Sequence, residues 1–180
     1  MTARFYDLSG NSCWRTPEHY IAAARRAMGG IIDLDPASDE DANRIVRAVT
    51  YFSPQNGQDG LNLSWCGNVW LNPPYSDFRG QAGQWIAKLR SEYMSRNVTQ
   101  AIALINLGTA YQTAVQAAMD VAAAVCIPNE RIQFDPPPGY AGKVTRPTQA
   151  NMLIYFGRYA ELFAREFRQF GTIFDVARPG

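Results

Sequence analysis

In Val69-Trp70-Leu71-Asn72-Pro73-Pro74-Tyr75-Ser76-Asp77-Phe78 an apolar run leads into an amide, paired prolines and a tyrosine. Val69 to Leu71 reads as a strand, and the prolines must end it, because neither can donate to a sheet ladder. Residues just past a strand end in an α/β protein are where ligands are commonly met. The order Asn72, Pro73, Pro74, Tyr75 therefore presents a hydrogen-bonding amide, a rigid turn and an aromatic ring at one place. Other patches also stand at strand ends or turns: Trp14-Arg15-Thr16-Pro17-Glu18, Asp33-Leu34-Asp35-Pro36-Ala37-Ser38 and Gln58-Asp59-Gly60-Leu61. Taken singly, each also reads as scaffolding: a helix start, a strand followed by a helix cap, a turn.

The elements that must position these residues follow from periodicity and punctuation. The spacing predicts a helix after Thr16, with Thr16 as cap, Pro17 at the first helical position and Gly29-Gly30 as the stop. Ile21, Ala24, Ala27 and Met28 would be its buried face. Residues 29–38 read as a short buried strand running into a turn, and a second helix opens at Ser38 or Asp39 with acids in its first turn. Thr50 to Phe52 reads as a short strand. Residues 82–95 are amphipathic, with Ala82, Trp85, Ile86, Leu89 and Tyr93 on one side. Residues 101–107 and 123–128 read as strands around a helix at 111–122. Residues 130–134, 151–157 and 171–177 are further strand candidates, with a helix at 158–170 before the last. Buried strands alternating with helices imply an α/β, doubly wound fold: a mostly parallel sheet, helices on both faces, and an antiparallel edge strand.

The chain has 180 residues, 47% hydrophobic and 18% charged, which suits one globular domain spanning 1–180. No apolar run approaches the ~20 residues of a membrane span. The N-terminal ten residues lack a signal-peptide core. Cys13, Cys66 and Cys126 are widely spaced and odd in number, a pattern that fits buried, reduced thiols and a cytoplasmic setting. With 17 basic and 16 acidic residues the net charge is +1, so nucleic-acid binding would have to be local. The single histidine, His19, leaves no His cluster for zinc, and we expect no metal. It reads as a solvent-facing residue of the first helix.

Together the patches resemble the S-adenosylmethionine-dependent DNA N6-adenine methyltransferases, specifically the small Dam-like family of bacteriophages and prophages. The residues that carry the resemblance are Thr16-Pro17-Glu18, Asp33 to Ser38, Tyr51-Phe52, Asp59-Gly60-Leu61, and the run from Trp65 to Ser76. They cover roughly the first half of the chain in the family's order. The resemblance implies a Rossmann-like class I methyltransferase fold and S-adenosylmethionine as methyl donor. It also implies that Thr16 and Pro17 line the methionine end of that cofactor. Asp33 and Asp35, with Pro36 and Ala37, would lie near its amino group or ribose, and Asp59 and Leu61 near its adenine. The glycine-rich turn usual after the first strand is replaced here by Asp33 to Glu40, and no acidic residue ends the Thr50–Phe52 strand, so Asp35 would have to serve the ribose.

The chemistry of the amide fits that implication. Adenine's exocyclic amine is a poor nucleophile because its lone pair is delocalised into the ring. Acceptors aimed at its N–H groups, the Asn72 side-chain oxygen and the Pro73 carbonyl, would localise the lone pair towards the methyl donor. Tyr75 would stack on the base once it has left the duplex. The same motif also serves RNA adenine, cytosine N4 and protein glutamine, and a non-catalytic DNA-binding module is the reading from another class. Double-stranded DNA is the expected partner, and a homodimer is compatible with the small size. Loops 76–84 and 135–149 are the candidates for DNA contact, with Arg79, Arg131, Tyr140, Lys143 and Arg146 as contacting residues. The aromatic series Tyr155, Phe156, Tyr159, Phe163, Phe167 and Phe170 reads as core or subunit contact.

Overall fold

The computed structural model describes residues 14–74, 81–144 and 146–176. Its strands are β1 (Leu34–Asp35), β2 (Thr50–Tyr51), β3 (Gly67–Leu71), β4 (Val98–Asn106), β5 (Ala124–Pro128), β6 (Asn151–Phe156) and β7 (Gly171–Asp175). Its helices are α1 (Glu18–Ala27), α2 (Glu40–Val46), α3 (Gln81–Met94), α4 (Thr113–Met119) and α5 (Ala160–Phe167), with short 3-10 turns at Pro54–Asn56 and Leu107–Thr109. All strands join one 7-stranded sheet in the order β2-β1-β3-β4-β6-β5-β7. β2, β1, β3 and β4 are mutually parallel. β6 is antiparallel to both β4 and β5, and β7 is antiparallel to β5 at the edge. The expected antiparallel edge strand is β7, and a second antiparallel strand, β6, lies inside the sheet. The arrangement is the Rossmann-like methyltransferase fold that the resemblance implied.

Side-chain alternation along the strands divides the core into layers. Ile102 and Leu104 of β4 and Trp70 of β3 pack with Ile21, Ala24 and Ala27 of α1 and with Phe163 and Phe167 of α5. Ala101, Ala103 and Ile105, with Val69 and Leu71, pack with Trp85, Ile86 and Leu89 of α3 and Val115 of α4. The α3 stripe is as expected, with Tyr93 half-buried against the same cluster. α2 is capped by Asp39, whose carboxylate accepts from Ala42 N at 2.8 Å, and it closes on Arg47 in the left-handed region at φ 52°. Gly29 and Gly30 end α1 at φ 82° and 100°, values that glycine adopts without strain.

Some expectations are corrected. Residues 130–134 form no strand: Ile132 is buried and Phe134 packs on the α1-side core, while Asp135 makes only an isolated bridge with Arg15. The apolar alternation there serves packing, since β5 already has β6 and β7 as its neighbours. Cys126 is buried as expected, but Cys66 is exposed, in the turn before β3; Cys13 lies outside the described residues. In the aromatic series Tyr155, Phe156, Phe163 and Phe167 are core, whereas Tyr159 is exposed. Among the described residues no helix is long and apolar enough to cross a membrane.

Candidate active site

Because β2, β1, β3 and β4 are parallel, their C-terminal ends share one edge of the sheet. Asn72 is the first residue beyond β3. Alternation from Trp70 puts it on the α1 side of the sheet, and alternation from Leu34 puts Asp35 on that side too. Asn72 Nδ2 donates to Thr16 Oγ1 at 3.1 Å. Its Oδ1 is buried and accepts no hydrogen bond among the described residues. Pro73 behind it is buried and Pro74 half-buried. Tyr75 lies outside the described residues.

Thr16 was expected to cap α1. Pro17 instead occupies the cap position, with no side-chain cap, and Thr16 is buried with its hydroxyl directed to Asn72. Arg15, which motif spacing did not single out, lies beside them. Its Nη2 contacts both oxygens of Asp39 at 2.9 Å, and its Nε is buried without a hydrogen-bond partner among the described residues. A buried, half-employed guanidinium is a donor set for an anion. Its signal was its place in Trp14 to Glu18, next to residues already chosen.

Asp35 ends β1 and is 3% exposed. Burial pushes its carboxyl up to about 7, against hydrogen bonds from Ala37 N and the Ser38 side chain and against the charge of Arg15; the nearby Asp39 carboxylate adds to the rise. A carboxylate so desolvated is suited to a cationic or hydroxyl-bearing ligand. Asp33 is not brought to this place. Its Oδ2 accepts from Asn68 N at 2.7 Å and its amide donates to Asn68 O at 2.8 Å, at the start of β3. There it borders a buried chain in which Tyr155 donates to Gln100 at 2.9 Å and Gln100 donates to Asn68 at 3.1 Å. The resemblance grouped Asp33 with Asp35 near the cofactor, and only the register with Asn68 separates them.

The Asp59-Gly60-Leu61 turn docks on the Asp35–Ala37 loop. A Cβ on Gly60 would lie 2.0 Å from Pro36 O and 2.9 Å from the Trp85 ring, so only glycine permits the approach. The Gly60 carbonyl accepts from Trp65 Nε1 at 2.7 Å. Asp59 is exposed and shapes the turn, its carboxylate accepting from Leu61 N at 3.0 Å and Asn62 Nδ2 at 2.7 Å. Leu61, Ala37 and Phe52 are half-buried on the α3-side core. Trp85 Nε1 is a further buried donor without a partner among the described residues. On the α1 side, Asn151 at the start of β6 pairs with Asn106 at the end of β4, and its buried Oδ1 is unpartnered. Trp85 had no motif to mark it; Asn151 opens the 151–157 strand candidate, where a polar residue at the head of an apolar run was the available signal.

Loop 135–149 is anchored near this edge at both ends. Arg15 and Asp135 exchange backbone hydrogen bonds at 2.8 Å, and Asn106 Nδ2 donates to Gln149 Oε1 at 2.9 Å. Tyr140 meets Trp14 edge-on at 5.3 Å between ring centroids. Lys143, Arg146 and Arg131 are exposed, and Arg131 Nη1 donates to Pro147 O at 3.3 Å. Of loop 76–84, residues 76–80, including Arg79, lie outside the described residues, and 81–84 are the first turn of α3 rather than loop. Among the described residues no group of His, Cys, Asp or Glu could hold a metal ion.

A family model for DNA N-6-adenine-methyltransferase (Dam) matches residues 8–175. The chain belongs to the Dam family. Family membership assigns the Dam-family chain, in general terms, to methylation of adenine N6 in DNA. No curated protein matches it. The matched span takes in every patch from Thr16 to Asn72 and every strand of the sheet.

Proposed function

We propose that this Dam-family chain transfers a methyl group from S-adenosylmethionine to N6 of an adenine extruded from double-stranded DNA, at sites chosen by its loops. The observation that carries the reading is the Asn72 amide, anchored through Nδ2 and with Oδ1 buried and unpartnered at a strand end. A buried acceptor without a donor is costly, and an N–H from a substrate would satisfy it. Asn72 Oδ1 and the Pro73 carbonyl then hold the amine's protons and turn its lone pair outward, with Tyr75 stacked on the base.

Residues at this end of the sheet fit the cofactor. Arg15 suits a carboxylate, Asp35 an ammonium or a ribose hydroxyl, and the half-buried Leu61, Ala37 and Phe52 an adenine face. Thr16, Pro17 and Pro36 would border the same place, and the Asp59 turn would close it. S-adenosylmethionine supplies an electrophilic sulfonium methyl, so the protein's task is positioning and exclusion of water. Lys143, Arg146 and Arg131 would contact phosphates and Tyr140 a base, as an exposed aromatic among cations does. Arg79 would add a phosphate contact. The widely spaced cysteines support a reducing, cytoplasmic setting.

The test is transfer of labelled methyl from S-adenosylmethionine to unmethylated duplex DNA, followed by nucleoside analysis, with Asn72→Ala alongside. We expect N6-methyladenine from the wild type and its loss in the variant. Label appearing in RNA or protein and not in DNA would overturn the choice of acceptor.

A further inference from the structure

We propose that Thr16 is the positioning residue of the Asn72 amide: its hydroxyl holds Nδ2 so that Oδ1 alone faces the substrate amine. The proposal rests on the reading of Asn72 as amine acceptor and adds what makes it one. An asparagine side chain has two faces, an acceptor and a double donor. Turned the wrong way, it sets N–H against the N–H of the substrate.

Thr16 is 6% exposed, and its Oγ1 lies 3.1 Å from Nδ2. The hydroxyl is not spent on α1, because Pro17 occupies the cap position without a side-chain cap. Its backbone is held in register by the neighbouring Arg15–Asp135 bridge and by the Arg15–Asp39 ion pair. Reversal of the amide would strand buried N–H groups, which folded proteins tolerate less than an under-used carbonyl. Thr16 thus engages an N–H of Nδ2 and leaves Oδ1 free to accept. Threonine's β-branch keeps the hydroxyl in few rotamers, which favours a fixed anchor over a mobile one.

The experiment compares wild type, Thr16→Val and Thr16→Ser. It measures the kcat of methyl transfer, the Kd for S-adenosylmethionine by calorimetry, and the Asn72 side-chain amide signals in selectively 15N-Asn-labelled protein, assigned with Asn72→Ala. Thr16→Val keeps the shape and removes the hydroxyl. It should lower kcat about tenfold, the size of one lost hydrogen bond, a larger factor than any rise in cofactor Kd. The Asn72 amide should lose its protection from exchange. Thr16→Ser should restore kcat and protection together. A Thr16→Val enzyme with unchanged kcat, or with an unchanged Asn72 amide, overturns the proposal. So does a variant whose only defect is a raised Kd for S-adenosylmethionine, which would make Thr16 a cofactor contact. A wild type that makes no N6-methyladenine overturns the function, and the amide signals then decide the Thr16 anchor by themselves.

Discussion

Asp35 offers the sharpest quantitative test of the site. Its carboxyl titrates near 3.8 when free and is pushed up to about 7 in the fold, chiefly by burial. A carboxylate raised in this way favours the protonated form when folded. Its contribution is therefore neutral below pH 3.8 and increasingly destabilising as pH rises to about 7, where the cost levels off. A gap of about 3 pH units at ~1.4 kcal/mol each sets the full cost on the order of 4 kcal/mol. About 3 kcal/mol of that develops between pH 5 and pH 8. Asp35→Asn keeps the size and removes the titration. In urea unfolding of the ligand-free protein, the variant should gain about 3 kcal/mol on wild type between pH 5 and pH 8, or roughly 6–12 °C in Tm. Saturating S-adenosylmethionine should narrow the difference at pH 8, because a cation or hydroxyl at Asp35 stabilises the ionised form. Parallel pH profiles for the two proteins would refute the reasoning, since Asp35 would then not be a desolvated acid.

Other outcomes follow from particular contacts. Gly60→Ala would set a methyl 2.0 Å from Pro36 O, so the turn must retreat; we expect about 2 kcal/mol or more of lost stability by urea unfolding and weaker cofactor binding by calorimetry. Asp39→Ala removes the α2 cap and the partner of Arg15 together and should cost about 2 kcal/mol in the same unfolding assay, the upper end for a cap. Replacing Lys143 and Arg146 with alanine should lower DNA affinity and reduce the slope of log K against log salt by about 0.9 for each phosphate left unneutralised. An unchanged slope would remove both residues from the DNA surface. Leu89→Ala on α3, fully buried, should cost about 2–5 kcal/mol without altering the pH profile of activity.

What the sequence revealed and what it hid divide on physical grounds. The Asn72-Pro73-Pro74 turn was legible because proline's missing donor leaves a strand nowhere to go. Asp39 was legible as a cap because helix starts expose N–H groups that a short acid satisfies locally. Thr16 looked the same by that local rule, yet its hydroxyl goes to a residue 56 positions away, which no neighbour rule contains. Asp33 and Asp35 were grouped by the family resemblance and are separated only by register with Asn68. Residues 130–134 carried a strand's alternation, but sheet membership depends on a free edge, and β7 holds that edge. The unpartnered atoms of Arg15, Trp85 and Asn151 are properties of assembled packing and have no counterpart in the linear chain.

The inner position of β6 has a consequence for the order in which the protein can be built. β5 pairs only with β6 and β7, both of which follow it in the chain, so β5 has no ladder partner until Asn151–Phe156 has been synthesised. The segment that carries Arg15 and Thr16 likewise waits for Asp135 to close its bridge. Long-range pairings of this kind slow folding, because the loop entropy must be overcome before the contacts form. The parallel strands can assemble first around β3, but the edge that carries Asn72 is completed last. A nascent or truncated chain would hold the Asn72 motif without the contacts that surround it.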